Sequence, residues 1–201
     1  MKEININTQS SIKIGNIYFD PFKIEKETHD AVIIFITHSH YDHFDIESIN
    51  KVKNNNTIII IPDDEKIKSQ LDNYREFLPN ITYVINDLII DTIPSYNTNK
   101  SFHPKENNWL GYVITLDNET YYIMGDTDIT EEAKEVKCDY LFIPIGGTYT
   151  MDYKEAATLT NIIKPKVVFP THFGTIVGDK DDFNKFKELV DNGIEVINKL
   201  F

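Results

Sequence analysis

The residues best suited to chemistry lie between Thr37 and His43, where the sequence reads Thr-His-Ser-His-Tyr-Asp-His. Four of these side chains are of types that bind metal ions: His38, His40, Asp42 and His43. Imidazole and carboxylate together suit zinc, manganese or iron. Two histidines directed one way and an Asp-His pair directed another would serve two metals rather than one. The alternative is a histidine-rich surface turn, or an aspartate that caps the next helix.

These residues must be positioned by the elements around them. The preceding segment, 31–36, is apolar throughout and predicts a buried strand. Further strands are predicted at 12–19 (a hairpin turning at Gly15-Asn16), 57–61, 81–85, 88–93, 110–116, 119–124, 140–145, 166–170 and 194–198, and helices at 45–52, 63–78, 129–136, 152–163 and 181–191. This mixture predicts an α/β fold of two sheets with helices packed outside, a four-layer αββα sandwich. The length predicts one domain, 1–201.

Ligand-type side chains also follow three later strands of this prediction: His103, Asp126 and His172. Ligand sites in layered α/β folds gather at strand ends, so we expect these residues to share one site. The alternatives are a turn histidine at 103, a helix cap at 126 and a buried histidine at 172. Asp128, with Glu131 three residues later, is the better candidate for a capping box, which leaves Asp126 free to bind metal.

Composition narrows the classes of partner. Acidic residues outnumber basic ones by 32 to 20, for a net charge of −12, and Arg75 is the only arginine. Nucleic-acid binding normally needs a basic surface, so DNA and RNA are not expected partners. A small anion held by metals is excluded less strongly, because bound cations would offset part of the negative charge.

The single cysteine, Cys138, rules out an internal disulfide and a cysteine-based zinc finger. Its apolar neighbours predict a small buried side chain rather than a catalytic thiol. The first residues have no apolar signal core, and no apolar run approaches the roughly 20 residues of a membrane helix. A cytoplasmic protein without a membrane anchor is therefore expected.

On these residues the chain resembles the metallo-β-lactamase superfamily. The motif His-x-His-x-Asp-His is matched without gaps, and a later His, Asp and His follow in the family's order. The stretches Tyr-Asn…Lys-x-Phe-His-Pro-Lys and Pro-Ile-Gly-Gly-Thr-Tyr-Thr-Met look like the short branch described as metal-dependent hydrolases of the β-lactamase fold. That branch is similar to the ascorbate-6-phosphate lactonases and to N-acyl-phosphatidylethanolamine phospholipase D. The resemblance spans nearly the whole chain.

The resemblance implies the αββα sandwich and a two-metal site, with zinc as the expected ion and manganese or iron as alternatives. It places His38, His40 and His103 on one metal. It places Asp42, His43 and His172 on the other metal, and Asp126 between the two.

Hydrolysis is the chemistry expected of such a site. A metal lowers the pKa of bound water from about 15.7 to about 7, and the resulting hydroxide would attack a small ester, lactone or phosphoester. Asp42 and Asp126 would act as ligands and orient the water. Lys100 or Lys105 would neutralise the leaving group or bind a substrate anion, and Tyr149 would donate a hydrogen bond. Each of these three has a structural alternative, as a solvated lysine or a packed tyrosine.

Three more residues are candidates for supporting roles. Asp20 is expected to orient a ligand histidine, with a strand-end turn as the alternative. Asn97 and Trp109 are candidates for the pocket lining, but packing is the preferred role for Trp109. The leading interpretation is a hydrolase of a small molecule. The competing ones are a phosphodiesterase or nuclease of the same fold and a non-catalytic metal-binding protein. The sequence makes no prediction of the oligomeric state.

Overall fold

Two mixed β-sheets form the centre of this computed structural model, which describes residues 2–201. The first sheet has six strands in chain order: β1 (Ile4–Ile6), β2 (Ile12–Ile14), β3 (Ile17–Phe19), β4 (Ile33–Phe35), β5 (Ile58–Pro62) and β6 (Arg75–Phe77). Strands β1 to β3 pair antiparallel, and β3 to β6 pair parallel. The apolar runs of β3, β4 and β5 are typical of strands covered on both faces.

The second sheet has seven strands: β7 (Thr82–Ile85), β8 (Leu88–Pro94), β9 (Leu110–Leu116), β10 (Glu119–Ile123), β11 (Tyr140–Pro144), β12 (Val167–Thr171) and β13 (Glu195–Val196). Their spatial order is β13-β12-β11-β10-β9-β8-β7. Strands β7 to β10 form an antiparallel meander, whereas β10 to β13 are parallel. The parallel part places several strand ends at one rim of the sheet, which is where ligand-type residues can meet.

Within the described residues, five α-helices cover the outer faces: α1 (Ile46–Val52), α2 (Glu65–Lys68), α3 (Glu131–Lys134), α4 (Tyr153–Ile163) and α5 (Asp182–Leu189). One apolar cluster joins α1 and α2 to the first sheet, a second joins α3, α4 and α5 to the second sheet, and a third lies between the sheets. Three apolar interfaces separate four layers, so the predicted αββα sandwich is confirmed.

The sheets are held together closely beside the Thr37–His43 run. Tyr112 donates its hydroxyl hydrogen to the carbonyl oxygen of Ile36 at 2.7 Å, and the amide of Leu110 donates to the carbonyl of Thr37 at 3.1 Å. Gly125 has a φ of +65°, and a Cβ there would lie 3.0 Å from the Cβ of Thr37. Glycine is therefore needed where the two sheets approach each other.

The structure corrects the prediction of a helix over 63–78. Helix α2 ends at Lys68, and residues 75–77 form β6 on the edge of the first sheet. Of the apolar residues spaced as a helical stripe, only Ile67 is fully buried, while Tyr74 and Leu78 are exposed. Pairing with β5 supplies backbone hydrogen bonds that local periodicity does not reveal. Strand β1 is a further element that the sequence does not predict.

Across residues 2–201, the helices are all too short or too polar to cross a bilayer.

Candidate metal centre

Loops from both sheets bring the predicted ligands to one rim of the sandwich. His38 follows β4 of the first sheet, whereas Asp126 and His172 follow β10 and β12 of the second. His103 lies in the long loop between β8 and β9. Positions that are distant in sequence therefore converge because the strands before them end at the same place.

All seven candidate ligands face a common space. Their ligand-type atoms form three overlapping groups, each with its atoms within 4.8 Å of one another: His38, His40 and His103; His38, His43 and Asp126; and Asp42, His43 and His172. The first and third groups share no residue, and Asp126 contacts members of both. The structure therefore brings all seven predicted residues together, and its first and third groups consist of the residues that the resemblance assigned to separate metals.

The distances between ligand atoms suit small divalent cations. The Nε2 atoms of His43 and His172 lie 3.2 Å from Asp126 oxygens, and that of His103 lies 3.4 Å away. A tetrahedron with zinc–nitrogen bonds of about 2.05 Å has edges of about 3.3 Å. Each of these histidines is therefore spaced from Asp126 as two ligands of the same ion would be.

Hydrogen bonds fix which histidine nitrogen faces the centre. Thr37 donates its hydroxyl hydrogen to Asp20 at 2.7 Å, so its oxygen must accept the Nδ1 hydrogen of His38, 2.9 Å away. Nδ1 of His43 donates to Asp20 at 2.7 Å. Both rings therefore direct Nε2 towards the centre, where it can bind metal once it is deprotonated, and orienting a ligand in this way is the role expected of a buried carboxylate behind a ligand histidine. The structure brings Asp20 to the position predicted for it.

Asn97 fixes the orientation of the His103 ring through hydrogen bonds. Its Oδ1 accepts hydrogen bonds from the backbone amide and the Nδ1 atom of His103, at 2.9 and 3.0 Å. Behind the first group of histidines lies the ring of Trp109, with its centroid 4.9 Å from that of His38 and 5.0 Å from that of His40. The indole nitrogen donates to Asp64 at 2.8 Å. Trp109 therefore packs against the ligands rather than lining the pocket.

Sequence reasoning missed Gln9, which supports the third group. The residue is fully buried, its Nε2 lies 3.4 Å from an oxygen of Asp42, and its carbonyl accepts from the amide of His172 at 3.2 Å. Its Oε1 accepts from the hydroxyl of Thr175 at 2.5 Å. No local motif marks a lone glutamine ahead of β2, so only the fold reveals this contact.

Several buried atoms at the centre make no hydrogen bond within residues 2–201. They are Nε2 of His43, Nε2 of His103, both ring nitrogens of His172 and Oδ1 of Asp126. Buried polar atoms are nearly always satisfied, and bound metal would engage the Nε2 atoms of the three histidines and Oδ1 of Asp126. The residues present therefore fit a bound metal.

The electrostatics of the first group favour neutral ligands. Burial and then the charge on His43 hold the pKa of His38 well below its usual value. Burial and then the charge on His103 lower the pKa of His40 to about 4. Both imidazoles are thus deprotonated at neutral pH, which is the form that binds metal.

The third group, Asp42, His43 and His172, differs from the first in its protonation. Burial lowers the pKa of His172, but Asp126 more than offsets this and raises it to about 9. Burial likewise acts against the charged forms of His43 and Asp42. Nevertheless Asp126 and Asp20 keep the pKa of His43 well above its usual value, and the His172 ring, whose Nε2 lies 3.3 Å from an Asp42 oxygen, lowers the pKa of Asp42 to about 2. Metal binding there must displace protons.

Asp128 is not the helix cap that the sequence predicted. Thr130 caps α3 by accepting the Ala133 amide, because α3 begins at Glu131 rather than earlier. The buried Asp128 carboxylate instead accepts from the amide of Thr98 at 2.9 Å and from the Lys100 ammonium at 2.6 Å. Lys100 is thereby held away from the ligands.

A pocket of about 230 Å³ opens onto the centre. It is lined by His40, Tyr41, Asp42, Phe102, His103, Asp126, Tyr149, His172 and Ile176. Tyr149 is thus placed beside the ligands, while Lys100 and Lys105 are not among the lining residues. Lys105 pairs with Glu132 at 2.8 Å.

Comparison with known proteins agrees with this geometry. Residues 11–172 match the family described as Beta-lactamase superfamily domain. A UPF0173 metal-dependent hydrolase of Thermococcus onnurineus is 30% identical over 90% of this chain and 87% of its own. A UPF0173 metal-dependent hydrolase of Methanosphaera stadtmanae is 31% identical over 84% of this chain and 77% of its own.

Solved structures show the same architecture. A Parabacteroides distasonis protein assigned to the metal-dependent hydrolases superposes with a TM-score of 0.82 at 28% identity, covering 98% of this chain and 93% of its own. The metallo hydrolase Igni18 of Ignicoccus hospitalis superposes with a TM-score of 0.73 at 21% identity, covering 98% of this chain and 95% of its own.

Proposed function

Because the chain belongs to the metallo-β-lactamase superfamily, we propose that it is a metal-dependent hydrolase of a small ester, lactone or phosphoester. The observation that carries this proposal is the convergence of seven ligand-type side chains in two groups beside one pocket, with Asp126 in contact with both. Structural zinc sites usually have four closed ligands, whereas these ligands border an open pocket. That difference favours catalysis over a purely structural role.

We propose that His38, His40 and His103 hold one divalent ion and that Asp42, His43 and His172 hold a second, with zinc as the expected metal. A divalent ion, when bound, supplies a water nucleophile near neutral pH and polarises the bond to be cleaved. Asp126 lies between the two groups and would fix their separation. This is a positioning role, because a small error in the placement of reacting atoms is costly.

The remaining roles fall to residues of the pocket wall. Among the lining residues outside the proposed ligands, Tyr41 and Tyr149 can donate a hydrogen bond from the side chain. The backbone carbonyl of Tyr149 accepts from the Asn97 amide group at 3.0 Å, so the same asparagine holds both His103 and this tyrosine. We propose that the Tyr149 hydroxyl donates a hydrogen bond to the leaving group.

Metal content and ester hydrolysis, measured together, test the proposal. The purified protein should bind about two equivalents of zinc by mass spectrometry and hydrolyse 4-nitrophenyl esters. Asp126→Asn should reduce both properties, because it removes a carboxylate that contacts both groups. Asp139→Asn is the matched control, since Asp139 lies outside the pocket and pairs with Lys166.

Two outcomes would contradict the proposal. A protein that binds zinc but leaves esters, lactones and phosphodiesters intact would be a metal-binding protein without hydrolase activity. A protein in which Asp126→Asn leaves zinc content and turnover unchanged would have its reactive centre elsewhere.

A further inference from the structure

The walls of the pocket differ in character from its floor. Beyond the candidate ligands, the lining consists of Tyr41, Phe102, Tyr149 and Ile176. These side chains are 64, 45, 37 and 38% exposed, so their apolar surface faces solvent at the entrance. The Phe102 and Tyr149 rings meet edge to face with centroids 4.7 Å apart and form one continuous wall. Solvent-exposed apolar surface around a cleft is typical of a site that binds an apolar ligand.

Lysine and arginine side chains are absent from this lining within residues 2–201. Lys100 is held by the buried carboxylate of Asp128, and Lys105 by Glu132, at 2.6 and 2.8 Å. Arg75 lies in β6 at the edge of the first sheet. Recognition of phosphate or carboxylate normally uses arginine or lysine, so this pocket lacks the means to hold an anionic substituent on its walls.

Two other lysines contact groups outside the pocket lining. Lys66 donates to the carbonyl oxygen of Ser39 at 2.7 Å, and Lys23 lies over the ring of Phe22 at 5.1 Å. Neither lines the pocket. The net charge of −12 would further repel an approaching anion.

From these walls we infer that the substrate is an uncharged carboxylic ester or lactone with an apolar acyl group, which packs against Phe102 and Tyr149. This inference rests on the proposed hydrolase function and narrows its substrate class. Hydrolysis would add water across the acyl C–O bond, which gives a carboxylic acid and an alcohol. At about 230 Å³ the pocket is smaller than most ligand sites, so it takes a small molecule or one end of a larger one.

A matched pair of substrates isolates the effect of charge. 4-Nitrophenyl butyrate and 4-nitrophenyl hemisuccinate share a leaving group and an acyl carbonyl, and only the second ends in a carboxylate. The zinc-loaded protein should show a kcat/KM at least tenfold higher for the butyrate. Across acetate, propionate and butyrate, kcat/KM should rise about fourfold for each methylene buried.

A single introduced charge then tests whether the pocket wall sets the preference for a neutral acyl group. Phe102→Lys places a cation beside the acyl group, and should raise the hemisuccinate-to-butyrate ratio of kcat/KM at least tenfold. Val84→Lys is the control, because Val84 is an exposed apolar residue of β7 outside the pocket. It should leave the ratio unchanged.

The outcomes separate this inference from the proposed function. A wild-type preference for the hemisuccinate, or equal ratios in Phe102→Lys and Val84→Lys, would overturn the inference while leaving the hydrolase intact. If no ester, lactone or phosphodiester is turned over, the proposed function fails. The inference is then decided by isothermal titration with two unreactive amides, N-phenylbutyramide and N-phenylsuccinamic acid, of which the neutral one should bind at least tenfold more tightly.

Discussion

The substitution Asp20→Asn tests whether a buried carboxylate sets the orientation of the candidate ligands. Asp20 is fully buried and accepts three hydrogen bonds, from the amide and hydroxyl of Thr37 and from Nδ1 of His43, at 2.8, 2.7 and 2.7 Å. Asparagine has nearly the same shape and tolerates the residue's φ of +44°. The substitution therefore changes hydrogen bonding and charge with little change in backbone strain.

An amide cannot satisfy the same three donors. Whichever way the introduced side chain points, its NH₂ group faces at least one donor that Asp20 accepted, and an unsatisfied buried donor costs about 1–3 kcal/mol. With the NH₂ group at the Oδ2 position, His43 would lose the acceptor that fixes its tautomer. Loss of such an outer partner typically weakens metal binding 10- to 100-fold, which corresponds to about 1.4–2.7 kcal/mol.

Competition with a chromophoric chelator measures the zinc affinity, and thermal unfolding with and without zinc measures the linked stability. Asp139→Asn is a close control, because Asp139 also accepts from the amide and hydroxyl of one threonine, Thr120, but lies away from the centre. The control should bind zinc as the wild type does. Equal zinc affinity in Asp20→Asn and the wild type would refute the role assigned to Asp20.

Three further predictions concern the rest of the fold. Gly146→Ala should destabilise the protein by more than about 2 kcal/mol in urea unfolding, because a Cβ there would lie 2.1 Å from the carbonyl oxygen of His172; an unchanged midpoint would contradict this. Burial raises the pKa of Cys138 to about 12. At pH 8 the native thiol should therefore react with Ellman's reagent at least 100-fold more slowly than the urea-unfolded thiol. Equal rates would show an accessible thiolate. Partial burial disfavours the ionised form of Asp30, but the hydrogen bond from Lys13 outweighs it and lowers the pKa to about 2. The depressed pKa stabilises the fold above about pH 4, so Asp30→Asn should lower the free energy of unfolding by about 1 kcal/mol at pH 7. This loss of stability should shrink as the pH falls from 4 towards 2. A loss that is constant with pH would contradict the ionic contribution.

Local sequence patterns were sufficient to predict a strand that is covered on both faces. The apolar run before Thr37 predicted β4, and 110–116 predicted β9 with the same limits that the structure shows. These segments are buried between layers, so their composition carries the signal by itself. The edge strands β1 and β6 were harder to predict. Strand β6, for example, contains Arg75 and Glu76 and is defined chiefly by its pairing with β5.

The surroundings of the candidate ligands were only partly predictable. A dense run of histidine and aspartate is visible in the sequence, as is Asp20 before a proline. In contrast, Gln9 contacts Asp42 across 33 positions, and Lys100 meets Asp128 across 28. Such contacts depend on which loops the fold brings together, so neither residue's partner follows from its neighbours.

The two sheets contribute different members of each candidate ligand group, and this limits how the protein can vary. A strand rises about 3.3 Å per residue, nearly the same as the 3.2 Å between His43 and Asp126. Sliding one sheet past the other by a single residue would pull these atoms apart. Changes of specificity would therefore arise in the loops bearing Phe102 and Tyr149, while the relative placement of the sheets stays constant.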